Sequence, residues 1–549
     1  MSAGVRWAGF VREHLERHAD AWLAGGLAAV TLLSRWPYRA GMLYNWDAVQ
    51  FALALREFDV VKHQPHPPGY LLYVGLGRLL NIPLADPNLA YVGLAMLFSA
   101  ATTVTVYWLA RALYERATAA SAAALLAVSP LFWFYGSVGL TYAGEAFGAS
   151  LVAAFAYGAL RGDARSLYWG AVALGLTGGI RPSVLLLLFP LCVGCAVVGI
   201  RGARRLALAA ALMLGAVLLW FLPLVWLTGG FDAYLRASTQ LYGSVVLPTS
   251  VLGGSIDVTL AQARYVLASV VVGLGPLALA AFALPLYVRR SGWGRADWFL
   301  LGWIVPPAVF FTLVHFGQAG YVLTFLPGLV ILLSRALVEA VAAGSERLQR
   351  PNWRWGLTAA ALVPLCLVST GFFVSARPVP RHFDNRTGGA WVWRAKDEAH
   401  DWIMSRTAAA LREHEAVIRA YVETIRAVYD PADTALLTEI GNPRSYPWLR
   451  HAMFYLPEYP IYQVQLGERP LGFYAPQSAA TMILTPGSTV TIPRRVRQLV
   501  WFVDHWDPAV PRPRGLQEIQ LPYGRFLYVL PLGRGRAQHA GYTFVRDKR

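Results

Sequence analysis

The stretch from Tyr44 to Tyr73 carries the residue types most able to do chemistry in this chain. Asp47 stands near its start, and His63 and the turn His66-Pro67-Pro68-Gly69-Tyr70 follow. The stretch lies between a first apolar segment and the next long one. A carboxylate, two imidazoles and a proline-rich turn just outside a bilayer indicate a reaction centre at the membrane surface.

The elements that must position this stretch are predicted to be membrane helices. Of the 549 residues, 56% are hydrophobic and 14% charged, and the mean hydropathy is +0.43. A soluble domain carries about 25% charged residues, and apolar runs long enough to span a bilayer recur down to residue 374. We expect a polytopic α-helical membrane protein with about eleven spans, at 19–36, 88–110, 117–135, 141–160, 166–180, 182–200, 206–228, 263–288, 297–315, 320–338 and 355–375.

The segment 68–82 is apolar but short, contains Arg78 and stops at Ile82-Pro83. We expect it to lie on the membrane as an interfacial helix and not to cross it. It would belong to a first extracytoplasmic loop over 37–87, within a transmembrane domain over 1–375.

The arginines of the loops predict the orientation. The net charge is +17, and the only lysines are Lys62, Lys396 and Lys548. Arginines recur in alternate loops, which the positive-inside rule places in the cytoplasm. The N-terminus is then cytoplasmic, and 37–87, 229–262 and 376–549 are extracytoplasmic. No basic soluble face of the kind that binds nucleic acid is present in so hydrophobic a sequence.

The composition changes after Ser375. A linker at 377–381 precedes polar helical segments over about 390–428, and strand-like runs follow at 434–438, 461–464, 499–503 and 525–530. Helices followed by strands predict an extracytoplasmic α/β domain over 376–549, which is long enough for its own core.

Other polar residues fall at the same predicted membrane face as Asp47. Ionisable groups in or beside membrane spans are costly and are usually functional. The candidates are Glu145, Arg181, His315, Gln318 and Tyr321.

Trp46-Asp47 followed by His66-Pro67-Pro68-Gly69-Tyr70 resembles the first extracytoplasmic loop of type C glycosyltransferases, and most closely their protein O-mannosyltransferase-like branch. The resemblance implies a hexosyl- or pentosyltransferase of the cell envelope, in a bacterial inner or plasma membrane. The O-mannosyltransferase family proper has an Asp-Glu pair in this loop, whereas Ala48 follows Asp47 here. Acceptor type and metal dependence are therefore left open.

The resemblance also implies roles for the residues. The donor would be a polyprenyl-phosphate sugar and the acceptor a protein, glycan or lipid. Asp47 would be the base of an inverting attack, and Arg181, with Gln318 and Tyr321, would bind the donor phosphate. Glu145, Tyr70 and His315 would contact sugar or acceptor. His63 and His66 are candidate ligands for a divalent cation with Asp47, although His66 fits a structural role in the turn equally well.

Two other functions remain open. A transporter or flippase for a lipid-linked glycan would favour inverted repeats and polar residues at mid-span, whereas here the polar residues cluster at the outer ends and no repeat is visible. The second alternative is a non-catalytic assembly protein whose C-terminal domain binds glycan.

Overall fold

The computed structural model describes residues 3–315, 318–376, 406–442, 445–446, 448–466, 481–484, 487–532 and 536–547. A helical part extends to Ser375, and a part with strands begins at residue 406. We use the name C-terminal domain for this second part. The predicted linker at 377–381 and the predicted helical residues 390–405 lie outside the described residues.

The helical part is a bundle. Its α-helices are α1 (Ala3–Arg35), α2 (Trp46–Arg56), α3 (Leu71–Leu84), α4 (Pro87–Leu113), α5 (Arg116–Ala127), α6 (Pro130–Tyr135), α7 (Tyr142–Leu160), α8 (Ala164–Ile180), α9 (Pro182–Gly199), α10 (Ala203–Leu227), α11 (Phe231–Leu241), α12 (Ile256–Leu274), α13 (Leu284–Ser291), α14 (Arg295–Leu313), α15 (Leu326–Arg347) and α16 (Arg354–Ser375). In this bundle α7 packs against α4, α8 and α9, and α8 packs against α10.

Among the described residues, eight helices are long and apolar enough to cross a membrane. They are α4, α7, α9, α10, α14, α15, the stretch Ile256–Ser291 and the stretch Pro351–Ser375. The other three predicted spans fall on α1, on the 17-residue α8, and on α5 with α6. The predicted span 117–135 is interrupted because Pro130 starts a new helix, whose first turn Ser129 caps through its hydroxyl. The total of eleven spans stays a prediction.

Small residues let the helices that carry the site approach closely. A Cβ atom added at Gly148 of α7 would lie 2.2 Å from Cγ2 of Thr177 on α8. A Cβ atom at Gly175 of α8 would lie 2.7 Å from the Cβ of Ala216 on α10. Close packing of this kind is how membrane helices gain van der Waals contact, and it holds the ends of α7 and α8 side by side.

The segment predicted as an interfacial helix forms α3, a short apolar helix of 14 residues. Tyr73 of α3 stacks on Tyr91 of α4 with ring centroids 5.0 Å apart. The hydroxyl of Tyr91 donates to the carbonyl oxygen of Phe51 in α2 at 3.0 Å. These contacts fix α2 and α3 against α4, at the end of the bundle where α4 begins.

The C-terminal domain contains α17 (Ala408–Val428), α18 (Leu449–Tyr455) and strands β1 (Thr434–Ile440), β2 (Ile461–Gln465), β3 (Thr481–Ile483), β4 (Thr489–Ile492), β5 (Gln498–Trp501), β6 (Gln517–Leu521), β7 (Arg525–Pro531), β8 (Arg536–His539) and β9 (Tyr542–Arg546). One sheet has the order β3-β2-β1-β5-β7-β6, parallel from β3 to β5 and antiparallel beyond. A smaller sheet has the order β4-β9-β8. All four predicted strand runs fall on β1, β2, β5 and β7, so this part is an α/β domain as predicted, while its boundary at 376 stays a prediction.

Candidate active site

Asp47 lies in the first turn of α2. The helix begins after Asn45, whose Oδ1 accepts a hydrogen bond from the backbone N–H of Ala48 at 3.0 Å. The Asp47 side chain is 26% exposed and makes no hydrogen bond with the described residues. Burial raises the pKa of Asp47 to about 6, against the opposing charge of Arg181. Asp47 is therefore ionised at neutral pH and is a stronger base than an ordinary aspartate.

The turn after α2 brings His66 to Asp47. Its Nδ1 lies 3.7 Å from Oδ1 of Asp47, too far for a hydrogen bond, and has no hydrogen-bond partner. Its Nε2 is 3.1 Å from the hydroxyl of Tyr70. Burial, together with the charges of Arg181 and Arg450, lowers the pKa of His66 to about 3. The imidazole is therefore neutral and does not form an ion pair with Asp47, so it does not offset the negative charge of the carboxylate.

Arg181 occupies the junction between α8 and α9. Its Nη1 donates to Oγ1 of Thr141 at 3.0 Å and to the hydroxyl of Tyr70 at 3.4 Å. Its Nε lies 3.4 Å from Oε2 of Glu145. Among the described residues, Nη2 makes no hydrogen bond. The guanidinium is thus held through Nε and Nη1, and Nη2 keeps its donors for another anion.

Aromatic rings surround the same guanidinium. Its carbon lies 4.7 Å from the ring centroid of Tyr321, 5.1 Å from that of Tyr142 and 5.5 Å from that of Tyr70. Ring faces attract a cation without neutralising it. The rings therefore leave the positive charge of Arg181 in place, and the carboxylate that offsets it among the described residues is Glu145.

Glu145 is fully buried in the first turn of α7. Its Oε1 accepts from Oγ1 of Thr324 at 2.5 Å and from Oγ of Ser183 at 3.1 Å, and its Oε2 faces Arg181. The carboxylate is thus occupied within the protein. The sequence led us to expect that Glu145 contacts sugar or acceptor. The geometry instead favours a role in which Glu145 holds Arg181 in place.

The segment before α15 supplies one side of the site. Tyr321 stacks on Phe311 with ring centroids 4.8 Å apart, and its edge meets the ring of His315 at 5.2 Å. Oε1 of Gln318 accepts a hydrogen bond from the hydroxyl of Tyr142. Tyr321 therefore touches Arg181 directly, whereas Gln318 and His315 act through aromatic neighbours.

The candidate metal ligands are not gathered into a metal centre. Within the described residues, no group of three or more His, Cys, Asp or Glu side chains is placed to share an ion. His63 is buried, and its burial, together with Arg450 and His66, lowers its pKa to about 3. One nitrogen of His66 is already engaged by Tyr70. The cation site suggested by Asp47, His63 and His66 therefore lacks a preformed three-ligand set, and we derive no metal-dependent step.

Some residues of the site were not singled out from the sequence. Thr141, Tyr142, Ser183 and Thr324 hold Arg181 or Glu145. Thr141 directly precedes α7, Tyr142 lies in the same first turn as Glu145, and Ser183 follows Arg181-Pro182. Proximity to an isolated charge in an apolar run was the available signal for these three, whereas Thr324 had none.

Residues 57–202 match the family model of the Protein O-mannosyl-transferase TMEM260 N-terminal domain. The chain is similar in fold to ArnT from Cupriavidus metallidurans bound to undecaprenyl phosphate, with a TM-score of 0.55, 15% identity, and coverage of 93% of this chain and 98% of that chain. The resemblance to type C glycosyltransferases is confirmed. The apo state of the same ArnT gives a TM-score of 0.51 at 15% identity, with 96% and 98% covered. No curated protein matches the chain.

The family-model match and the structural match to ArnT cover different parts of the site. The range 57–202 includes the His66 turn, Glu145 and Arg181, whereas Asp47 precedes it and Tyr321 follows it. The fold likeness to ArnT covers 93% of the chain, and with the apolar helices and the sheets it confirms the predicted class of a polytopic helical membrane protein with a C-terminal domain that contains strands.

Proposed function

We propose that this protein is a membrane glycosyltransferase that moves a sugar from a polyprenyl-phosphate donor to an extracytoplasmic acceptor with inversion of configuration. One observation carries the proposal. A carboxylate without a hydrogen-bond donor, Asp47, and a guanidinium with free donors, Arg181, lie at one end of the bundle and act on each other electrostatically. These are the two charges that transfer from a sugar phosphate requires.

Asp47 supplies the base. An acceptor hydroxyl is a weak nucleophile until its proton is removed. Since the pKa of Asp47 is about 6, the carboxylate accepts this proton at neutral pH. The acceptor oxygen then forms its bond to the anomeric carbon on the face opposite the phosphate. The bond from that carbon to the phosphate oxygen breaks, and its electron pair stays on the phosphate.

Arg181 stabilises the leaving group. The departing polyprenyl phosphate gains negative charge and needs no proton, so a fixed positive charge lowers the barrier. A guanidinium matches phosphate oxygens with paired donors. Glu145 and Thr141 fix the orientation of Arg181. The fold shared with ArnT bound to undecaprenyl phosphate supports this class of donor.

The lipid donor fits the surroundings of the site. The outer faces of α9 and α10 expose large apolar side chains such as Leu186, Val197, Leu219 and Leu222. Apolar surface of this extent belongs in lipid. We place the Asp47 loop and the C-terminal domain on the extracytoplasmic side and the N-terminus in the cytoplasm, following the arginine distribution. The acceptor is a protein, a glycan or a lipid.

The test compares Asp47→Asn with Asp59→Asn, using a synthetic polyprenyl-phosphate sugar. The two carboxylates share one loop and are 26% and 27% exposed. Oδ1 of Asp59 accepts a hydrogen bond from the backbone N–H of Lys62 at 3.1 Å. Asparagine retains that acceptor, so Asp59→Asn is a matched control.

We expect Asp47→Asn to lower transfer about 10²–10⁴-fold, the usual contribution of a general base. Donor binding should persist, because the neutral amide does not repel phosphate. Asp59→Asn should transfer sugar at the rate of the unaltered protein. Full activity of Asp47→Asn would remove the base from the proposal, and equal losses in both variants would assign the effect to loop structure.

A further inference from the structure

The C-terminal domain binds the main chain of the loop that carries Asp47. In its described part, several side chains hydrogen-bond backbone groups between Gly41 and Lys62. We name these side chains the latch: His414, Glu415, Tyr446, Arg450, His451 and Tyr455.

The first contacts of the latch hold the chain before α2. Oε2 of Glu415 accepts from the N–H of Gly41 at 3.0 Å. The hydroxyl of Tyr455 accepts from the N–H of Leu43 at 2.8 Å, and Nε2 of His451 donates to the Leu43 carbonyl oxygen at 3.2 Å. A Cβ atom added at Gly41 would lie 2.4 Å from the Glu415 carboxylate, so a larger residue there would displace this carboxylate.

Two latch residues act next to Asp47. The hydroxyl of Tyr446 accepts from the N–H of Trp46 at 2.8 Å. Nη2 of Arg450 donates to the carbonyl oxygen of Lys62 at 3.1 Å, and the guanidinium carbon lies 5.4 Å from the ring centroid of Trp46. Arg450 is fully buried. The residue before Asp47 and the residue before His63 are thus held by neighbouring side chains of one domain.

The loop depends on such partners for a physical reason. Residues 39–45 form neither helix nor strand, so their backbone groups find no partners in regular structure, and buried backbone groups are costly when unpaired. The latch satisfies several of them. Since α2 begins at Trp46, the path of these residues sets where the first turn of α2, and with it Asp47, is directed.

We propose that Tyr446 and Arg450 are positioning residues that hold Asp47 in its reactive orientation, so that the C-terminal domain completes the active site of the membrane domain. This inference rests on the proposed function. It assigns the C-terminal domain a part in the rate of transfer, separate from any binding of acceptor.

The experiment uses the full-length protein with Tyr446→Phe, Arg450→Met and Arg450→Lys. Arg512→Met is the matched control, because Arg512 lies in the same domain and contacts Glu518 and the Tyr528 ring, away from the loop. Two quantities are measured for each variant: kcat and donor KM with a synthetic polyprenyl-phosphate sugar, and backbone hydrogen–deuterium exchange of peptides that cover residues 41–52.

We expect Arg450→Met to lower kcat about 10–100-fold, since small misplacement of a catalytic group is costly. Tyr446→Phe should lower it about 2–10-fold, the equivalent of one hydrogen bond. Donor KM should stay constant, because Arg181 is untouched. Exchange over 41–52 should become faster in both variants. Arg450→Lys should recover part of kcat, because an ammonium retains a charge over Trp46.

Failure of this inference is distinguishable from failure of the proposed function. If the unaltered protein transfers no sugar, the proposed function is overturned before any variant is compared. If it is active and both Tyr446→Phe and Arg450→Met retain its kcat and its exchange, the positioning inference alone is overturned. A rise in donor KM at constant kcat also overturns it. Arg450 is buried, so Tyr446→Phe, which removes one hydroxyl, covers the case in which Arg450→Met does not fold.

Discussion

Two carboxylates at opposite ends of the bundle have opposite surroundings. Asp20 accepts from Nε of Arg116 at 2.7 Å, from the hydroxyl of Tyr107 at 2.6 Å and from Nε of Arg111 at 3.3 Å. Asp47 accepts no hydrogen bond from the described residues, and burial raises its pKa to about 6. A carboxylate saturated by donors is a structural anchor, whereas one without donors retains its basicity.

The arginines of the two ends differ in the same way. Arg335 binds Oε2 of Glu115 at 2.6 Å and Oε1 of Glu339 at 2.5 Å, and these two carboxylates offset its charge. Within the described part of the chain, Arg181 has one ion-pair partner, Glu145, at 3.4 Å, and its other neighbours are hydroxyls and rings. One end of the bundle has matched charges that stabilise it, and the other has the two charges that the proposed transfer would use.

We expect the largest effect for the side of the membrane on which each end lies, because the Asp20 end and the Asp47 end should face opposite sides. The 27 residues of α4 separate them by about 40 Å. In a background with the three native cysteines replaced by alanine, Gln517→Cys should react completely with an impermeant thiol reagent added outside intact cells. Arg165→Cys should not react until the membrane is opened. Labelling of Arg165→Cys from outside would reverse or remove the proposed orientation.

The next largest effect is expected at Arg181. Removal of one positioned charge that stabilises a transition state typically costs about 10²–10³-fold, so Arg181→Ala should lower transfer by that amount. Arg181→Lys should lower it less, because it keeps the charge but loses the planar fork. The measurement is single-turnover transfer on protein whose folding is verified by size-exclusion chromatography. Unchanged rates in well-folded Arg181→Ala would make Arg181 structural, like Arg335.

Charged residues in apolar surroundings were predictable from the sequence. Glu145 and Arg181 stood out as ionisable groups beside spans, and Asp47 and His66 stood out by their place in one loop. The structure brings these four together. The sequence also predicted the strands of the C-terminal domain, because short β-prone runs interrupt its polar segments.

Uncharged and distant partners were not predictable. Tyr142 and Thr324 look like ordinary residues of a membrane helix until the fold places them on Arg181 and Glu145. Arg450 is one arginine among many in its domain, and it meets Lys62 across a separation of 388 residues. Contacts of this kind depend on how the two domains pack, which periodicity and local composition do not specify.

The smallest effect is expected at the anchoring end. Asp20→Asn keeps one acceptor oxygen but removes the negative charge that pairs with Arg116 and Arg111, and hydrogen bonds to charged groups are worth about 1.5–3 kcal/mol each. The thermal midpoint should fall measurably, while the transfer rate of the folded protein should stay unchanged. Thermal denaturation in detergent and transfer assays at a temperature well below the midpoint check both parts. A loss of transfer without a loss of stability would show that the two ends are not separate in function.

The assignment of Asp47 as the base is tested most directly by the pH dependence of kcat/KM, which reports the pKa values of essential groups in the free enzyme. Asp47 must be deprotonated to act, and its pKa is raised to about 6. The rate should therefore be constant above about pH 7 and fall tenfold per pH unit well below pH 6. His66, with a pKa of about 3, stays neutral over this range, and the phosphodiester of the donor does not titrate there. The residual transfer of Asp47→Asn should lack this acid limb. An acid limb at the same pH in Asp47→Asn, or none in the unaltered protein down to pH 4, would contradict Asp47 as the base.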